Sequence, residues 1–506
     1  MALSQIDTTM EKDQLDLIDQ TITERKGEVE DLSLITAAEE KALVRKIDRN
    51  LMPLLLISYM LQFFDKTTLG YTGILGIQAD THLEGTDYSW VSSIFYFGYL
   101  IASYPASLAF VKFPLGKFLA TCVLVWAVIL ACHGAAVNFG GLMALRFLLG
   151  VFESTISPGF SLITGLWYKP SEHASRHGLW FAGNTTASIF GGLIAYAISH
   201  ISSSISAWRW LFVIFGVVTF VWGIVLFVFL PDSPLNARFL TPDQRTYAHR
   251  RPQQETHSFK TNEWKKDQFL EALRDPKTWL IFIYTVCSNI PNGGFTSFSG
   301  IIVQGFGFDT FTTLLLGMPG SAFGLFYVLS STYLAHRFKY SRCILIAVLQ
   351  LIALAGCTMV YALPTSGKWA RLGGMWLFPA YAGGMPLSFA IIASDIAGYT
   401  KKTTVLAIMF IGYCVGNIVG PQIFFAREAP RYGSAFEGIL VCIVLSATSI
   451  LILRQYMNWE NKRRDREQGV HIDPEAKGSE RSTEEHLVQT GLDETDWVNR
   501  RFRYYL

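Results

Sequence analysis

Asp65 and Lys66 stand side by side in ISYMLQFFDKTTLGYTGILG (57–76), an otherwise apolar stretch long enough to cross a bilayer. An ionisable side chain at that depth costs about 2.5–3.5 kcal/mol on insertion scales, so two of them need partners or a wet cavity. A second apolar run, 142–167, carries Arg146 and Glu153. Tyr59, Gln62 and Lys66 follow i, i+3, i+7 spacing and share one helix face, which Asp65 flanks. Arg146 and Glu153 also lie seven apart, roughly 10 Å along one face. At about 1.5 Å per residue, Asp65 and Glu153 reach similar depths near the bilayer centre.

One intramembrane charge pair, such as Asp65–Arg146, can simply clamp two helices, but four charges exceed what a clamp needs. Their chemistry suits coupling of an anion to a proton. A desolvated carboxyl titrates nearer neutrality, and a neighbouring cation keeps it ionised. An anion that engages Lys66 or Arg146 competes for that cation and eases protonation of Asp65 or Glu153, so anion and proton favour each other's binding. The expected roles are therefore proton coupling at Asp65 and Glu153, and substrate contact at Lys66 and Arg146, with Lys66 the main contact. Weaker signals add Asn184 and Asn417 to the substrate-binding set. Pro291, flanked by Asn289 and Asn292 and followed by Gly293-Gly294, predicts a break that frees backbone groups; a hinge without ligand contacts is the competing reading.

The elements that must hold these residues follow from composition. Of 506 residues, 51% are hydrophobic and 16% charged, against about 25% charged in soluble domains. Runs of about 20 apolar residues recur near 51–77, 88–110, 115–135, 142–168, 177–199, 208–230, 277–298, 311–335, 342–362, 371–394, 404–425 and 435–456. The expectation is an all-α integral membrane protein of about twelve transmembrane helices in two six-helix halves. Its parts are an N-terminal segment (1–50), a first half (51–230), a linker (231–276), a second half (277–456) and a tail (457–506).

Thr36-Ala-Ala-Glu39 is a capping box opening the first long helix. The linker contains the helix-like WKKDQFLEALRD, and the tail beyond Trp459 is charged and rich in Gly, Ser and Glu, a composition that predicts disorder. Lys and Arg concentrate in the loops on the side of both termini, with Arg209, Lys368, Arg371, Arg427 and Arg431 as the exceptions; both termini are expected in the cytoplasm.

Several classes are disfavoured. A net charge of +2 without a basic stripe gives no footprint for nucleic acid. Seven cysteines, none in a CxxC pair, read as buried hydrophobes, and no metal site or cofactor is expected. No nucleophile–base pair suggests an enzyme.

RKIDRNLMPLLL, FFDKTTLGYT, FYFGYLIASYP, RFLLGVFESTISPGF, WYKPSEHASRHG, PNGGFTSF, GFGFDTFTTLLLGMPG, GNIVGPQIF and the terminal DETDWVNRRFRYYL form a collinear set. That set resembles the major facilitator superfamily, and within it the anion:cation symporter family and its fungal allantoate permease branch. The resemblance implies an alternating-access carrier of small organic anions, usually driven by protons and placed by default in the plasma membrane, working here as a monomer. It implies the same roles for Asp65, Lys66, Arg146 and Glu153, and polar contacts at Asn184 and Asn417. A metabolite exporter or exchanger of the same fold, and a nutrient sensor, remain alternatives. Two positions depart from the pattern. Lys66 stands where many members have Arg, replacing a bidentate fork by a point charge. His336 replaces the expected Asp in LAHRFKYSR, and it could make the gate there pH-sensitive.

Overall fold

The computed structural model describes residues 36–201, 203–253, 264–338, 340–469, 493–500 and 502–505. Twelve long helical spans cross one bundle, numbered here in chain order. Spans 1 to 6 are Ala37–Ile74, Asp87–Lys112, Leu115–His133, Phe139–Trp167, Pro170–Ser199 and Ala207–Phe229. Spans 7 to 12 are Pro276–Gln304, Thr310–Arg337, Arg342–Ala362, Lys368–Asp395, Tyr399–Gln422 and Gly433–Gln468. Ten of them are long and apolar enough to cross a membrane on composition alone. The other two are span 1, which carries Asp65 and Lys66, and span 7, which carries Asn289 and Asn292. Two short helices, Pro242–Arg250 and Lys266–Arg274, mark the linker and define one end of the bundle, called here the linker face.

Span 1 begins at the expected capping box: the Thr36 hydroxyl accepts from the Glu39 amide, and the Glu39 carboxylate accepts from the Thr36 amide. Inside each half, backbones approach closely through glycine. A Cβ on Gly150 would stand 2.0 Å from the Phe95 carbonyl oxygen and one on Gly98 would stand 2.2 Å from that of Phe147, so spans 2 and 4 touch main chain to main chain.

The predicted break lies elsewhere than expected. Span 7 is one continuous helix through Pro291. Asn289 donates to the Thr285 carbonyl and the Thr296 hydroxyl to that of Asn292, so side chains support the backbone around the proline. The interruptions are in spans 4 and 10. Span 4 loses a helix hydrogen bond at Ser154-Thr155, directly after Glu153, where Pro158 has no N–H to return to the Ser154 carbonyl, while both residues keep helical backbone angles. Span 10 contains a 3-10 turn, Phe378–Gly383, around Pro379.

The tail corrects a second expectation. Span 12 runs on to Gln468, and residues 493–500 and 502–505 pack in order against the linker face. Composition misled because the ordering contacts are long-range. The stretch 470–492 and the segment 1–35 lie outside the described residues.

Hydrogen bonds between the two halves cluster toward the end opposite the linker. Tyr88 donates its hydroxyl to the carbonyls of Leu69 (2.8 Å) and Ser297 (3.0 Å), and Ser92 meets Ser297 at 2.5 Å. Ser93 donates to the Ile418 carbonyl and accepts from Gln422. A Cβ on Gly70 would lie 2.5 Å from the Thr296 carbonyl oxygen, so spans 1 and 7 are in main-chain contact there. Toward the linker face, Ser161 and Leu162 of span 4 are exposed. The contacts that join the two halves thus lie at the end opposite the linker.

Candidate functional site

Span 1 carries Asp65 and Lys66 into the middle of the first half, where they take different surroundings. Asp65 is fully buried, and one carboxylate oxygen accepts from the indole Nε1 of Trp126 in span 3. Its other oxygen has no hydrogen-bond partner among the described residues. Lys66 faces span 2 instead, with Nζ 5.2 Å from the centre of the Tyr99 ring and 5.6 Å from that of Phe95. Both are cation–π distances, which hold an ammonium without neutralising it.

Span 4 supplies the other two charges. Arg146 is buried, its guanidinium 5.9 Å from the centre of the Phe212 ring, with Nε and one terminal nitrogen lacking hydrogen-bond partners among the described residues. Glu153 sits fully buried at the helix break, and neither carboxylate oxygen has a partner there; Gln62 donates to its backbone carbonyl instead, at 3.3 Å. The four groups lie near enough to act on one another electrostatically. Yet among the described residues none reaches another within the 4.0 Å of an ion pair. An Asp65–Arg146 clamp, one reading of the sequence, is absent.

A small cavity lies where the halves meet. Lys66, Phe95, Tyr96 and Arg146 line it from the first half, Gly293 and Thr296 from the second. Its walls combine two cations with aromatic rings, and its space of about 10 Å³ admits roughly one water molecule. Aromatic contacts join the halves beside it, Tyr96 to Tyr413 at 6.0 Å and Tyr99 to Phe410 at 5.5 Å between ring centres.

The two asparagines fall differently. Asn417 is fully buried between spans 11 and 7: it donates to the Tyr413 carbonyl (2.8 Å) and to Asn289 (3.4 Å), and accepts from Asn292 (2.8 Å). Its side chain is occupied within the second half, so a ligand would have to displace a protein partner. Asn184 lies in span 5 and is not among the cavity's lining residues; its Oδ1 is buried without a partner among the described residues. His336 is exposed at the linker-face end of span 8.

Sequence reasoning missed Trp126, because a tryptophan within an apolar run carries no mark of a hydrogen bond to a carboxylate two spans away in the chain. It also missed Tyr381, whose hydroxyl donates to Asn292 at 3.1 Å and extends the amide network into span 10.

Helical bundles of other families could house such charges, and comparison with known proteins decides between them. The sequence pattern described as Major Facilitator Superfamily matches residues 55–421. The chain belongs to the major facilitator superfamily. Among curated relatives, the allantoate permease of Saccharomyces cerevisiae is 37% identical, the match covering 93% of this chain and 88% of that one. An uncharacterized transporter of Schizosaccharomyces pombe is 38% identical over 94% and 91% of the two chains. A thiamine pathway transporter of Saccharomyces cerevisiae is 33% identical over 91% and 86%. Among solved structures, a D-xylose-proton symporter shares the fold with a TM-score of 0.62 at 10% identity, over 79% of this chain and 96% of that one. This superfamily member is thus a multi-pass membrane transporter, not an enzyme, in the branch that includes the fungal allantoate permease.

Proposed function

We propose that this transporter moves a small organic anion together with protons by alternating access. The observation that carries the reading is the pair Lys66 and Arg146: two intramembrane cations on one cavity, neither with a carboxylate in ion-pair contact among the described residues. A cation held that way in low dielectric gains most from an anion that arrives from solution. Asp65 and Glu153, buried close by with unsatisfied oxygens, are the proton-coupling groups. Protonating either removes a competitor for the cations, which links proton and anion binding reciprocally. The break after Glu153 lets the span 4 segment that carries Arg146 tilt independently of the segment toward the linker face.

The allantoate permease among its relatives supports a substrate class of ureido acids and comparable carboxylates. Asn184 and Asn417 would contribute polar contacts, Asn417 through the Asn292–Tyr381 network. The linker face is assigned to the cytoplasm because Lys and Arg concentrate there. Residence in the plasma membrane, action as a monomer, and the division at 51–230 and 277–456 complete the proposal.

The test is uptake of a panel of organic acids into proteoliposomes under an imposed proton gradient. Lys66→Ala is expected to abolish uptake of the accepted acid. Glu153→Gln is expected to retain exchange of that acid while losing concentration driven by the gradient. Wild-type uptake by Lys66→Ala would overturn the anion reading, and fully proton-driven uptake by Glu153→Gln would remove Glu153 from the coupling.

A further inference from the structure

The linker face of the second half carries a buried ionic cluster that transport chemistry at the centre does not use. Lys277 at the start of span 7 and Lys401 at the start of span 11 are both almost fully buried. Lys401 pairs with Asp275 (2.8 Å), with Glu271 (2.7 Å) and with Asp496 of the tail (2.8 Å). Lys277 pairs with Asp275 at 3.5 Å and also with Asp496. Asp496 is itself fully buried, so a residue from the end of the chain is the shared counter-ion of two buried lysines.

The rest of the tail is fixed around that point. Tyr504 donates its hydroxyl to Asp496 (2.8 Å), its amide to Asn461 (2.9 Å), and accepts the Asn461 amide group on its carbonyl (2.9 Å). The Tyr505 amide donates to Asp395 at the end of span 10. Asp493 accepts from the Tyr399 amide (2.7 Å), and Thr495 donates to Glu271 (2.9 Å). Arg503 pairs with Asp465 of span 12 at 2.7 Å. Residues 493–500 and 502–505 therefore touch the linker helix and the linker-face ends of spans 7, 10, 11 and 12.

The first half has a counterpart. Lys169, in the loop between spans 4 and 5, pairs with Glu40 at 2.9 Å, and Arg251 of the linker pairs with Glu40 (2.8 Å) and Glu172 (2.5 Å). In each half, a linker-face loop (4–5 in one, 10–11 in the other) is tied down by a segment from outside the bundle. The first tie is part-exposed and the second is buried.

We propose that residues 493–505 form a strap, anchored by Asp496, that makes the linker-face ends of spans 10 and 11 move as one body with spans 7 and 12, and that the mouth closes fully only while the strap is docked. The inference rests on fold and contacts and not on the identity of the substrate. A loose 10–11 loop cannot transmit closure, so releasing the strap leaves the mouth open for more of the time.

The test uses the full chain, purified, with Ser161→Cys as a reporter. Ser161 donates to the Ser157 carbonyl, and Ser157 meets Tyr59 at the centre, so Ser161 lies on the cavity-facing side of span 4 one turn nearer the mouth. Two quantities are read: hydrogen exchange across 493–505, and the labelling rate of residue 161 by a charged maleimide, with the parent chain's own cysteines as background. Asp496→Asn is expected to speed tail exchange by at least about a hundredfold, since the tail loses both of its buried lysine partners and Lys277 keeps only Asp275 at 3.5 Å. It is expected to raise labelling by about threefold or more as the open state gains population. Tyr504→Phe, which loses only a hydroxyl, moves both readouts the same way by less, and carries the test if Asp496→Asn fails to fold. Val498→Ser, at an exposed tail position, changes neither. A tail that stays protected in Asp496→Asn overturns the anchor, and a released tail with unchanged or slower labelling overturns the gating role.

Discussion

Gly70→Ala offers a direct test of alternating access in this bundle. A Cβ at Gly70 would stand 2.5 Å from the Thr296 carbonyl oxygen, where ordinary contact begins at 3.4 Å, so spans 1 and 7 must part by about 0.9 Å. The obstacle is main chain on both sides, and no side chain can swing away to relieve it. Overpacking of this kind costs about 1–3 kcal/mol. The cost falls only on the state in which the end opposite the linker is closed, because alternation separates spans 1 and 7 there. With RT near 0.59 kcal/mol, the population open toward the linker should fall by about 5- to 150-fold relative to the other state. In a Ser161→Cys background, maleimide labelling at residue 161 should slow to a similar degree, while the melting temperature changes little because the alternative state absorbs the insertion. Labelling at the parental rate in a folded Gly70→Ala protein would refute the assignment of Gly70 and Thr296 to a closing contact.

Three further outcomes follow. Gly150→Ala, whose Cβ would meet the Phe95 carbonyl oxygen at 2.0 Å within one half, should lower the melting temperature in every conformational state, because spans 2 and 4 remain packed throughout. Lys66→Arg should keep part of the uptake that Lys66→Ala loses, with an altered preference among acids of different shape, measured by competition; equal loss in both would argue against a charge-reading role. Burial pushes the Asp496 carboxyl up, but Lys277 and Lys401 more than offset it and hold it at about 2. Because that value lies below the unfolded one, near 3.9, its contribution is fully present above about pH 4 and fades only as pH falls through about 2. Asp496 therefore stays ionised from pH 7 to pH 5, and the protection that its lysine pairs give residues 493–500 should be the same at both after correction for intrinsic rates.

The fold was legible in the sequence because bilayer thickness imposes one helix length on every span, and the charges at 65, 66, 146 and 153 stood out against it. Depth followed from counting residues. The break in span 7 was misjudged because Pro-Asn-Gly-Gly reads locally as a stop, whereas Thr285, Asn289 and Thr296 supply the bonds that keep the helix whole. The break after Glu153 needed only a proline four residues beyond Ser154, a signal present in RFLLGVFESTISPGF but shared with many intact spans. Asn417 was recognised as polar and intramembrane, yet its partners come from span 7, over 120 residues away. The tail failed for the same reason: Asp496 finds its counter-ions at 277 and 401, a pairing that no local composition encodes.

The interruption after Glu153 can also be read as machinery. The segment Ile156–Trp167 has 12 residues, so it forms a rod of about 18 Å hinged at its inner end. A tilt of about 10° at that hinge carries the far end through about 3 Å, comparable with the width of a water molecule. A rearrangement around Glu153 that bent span 4 at Ser154 and Thr155 would thereby be enlarged several-fold on its way to the linker face.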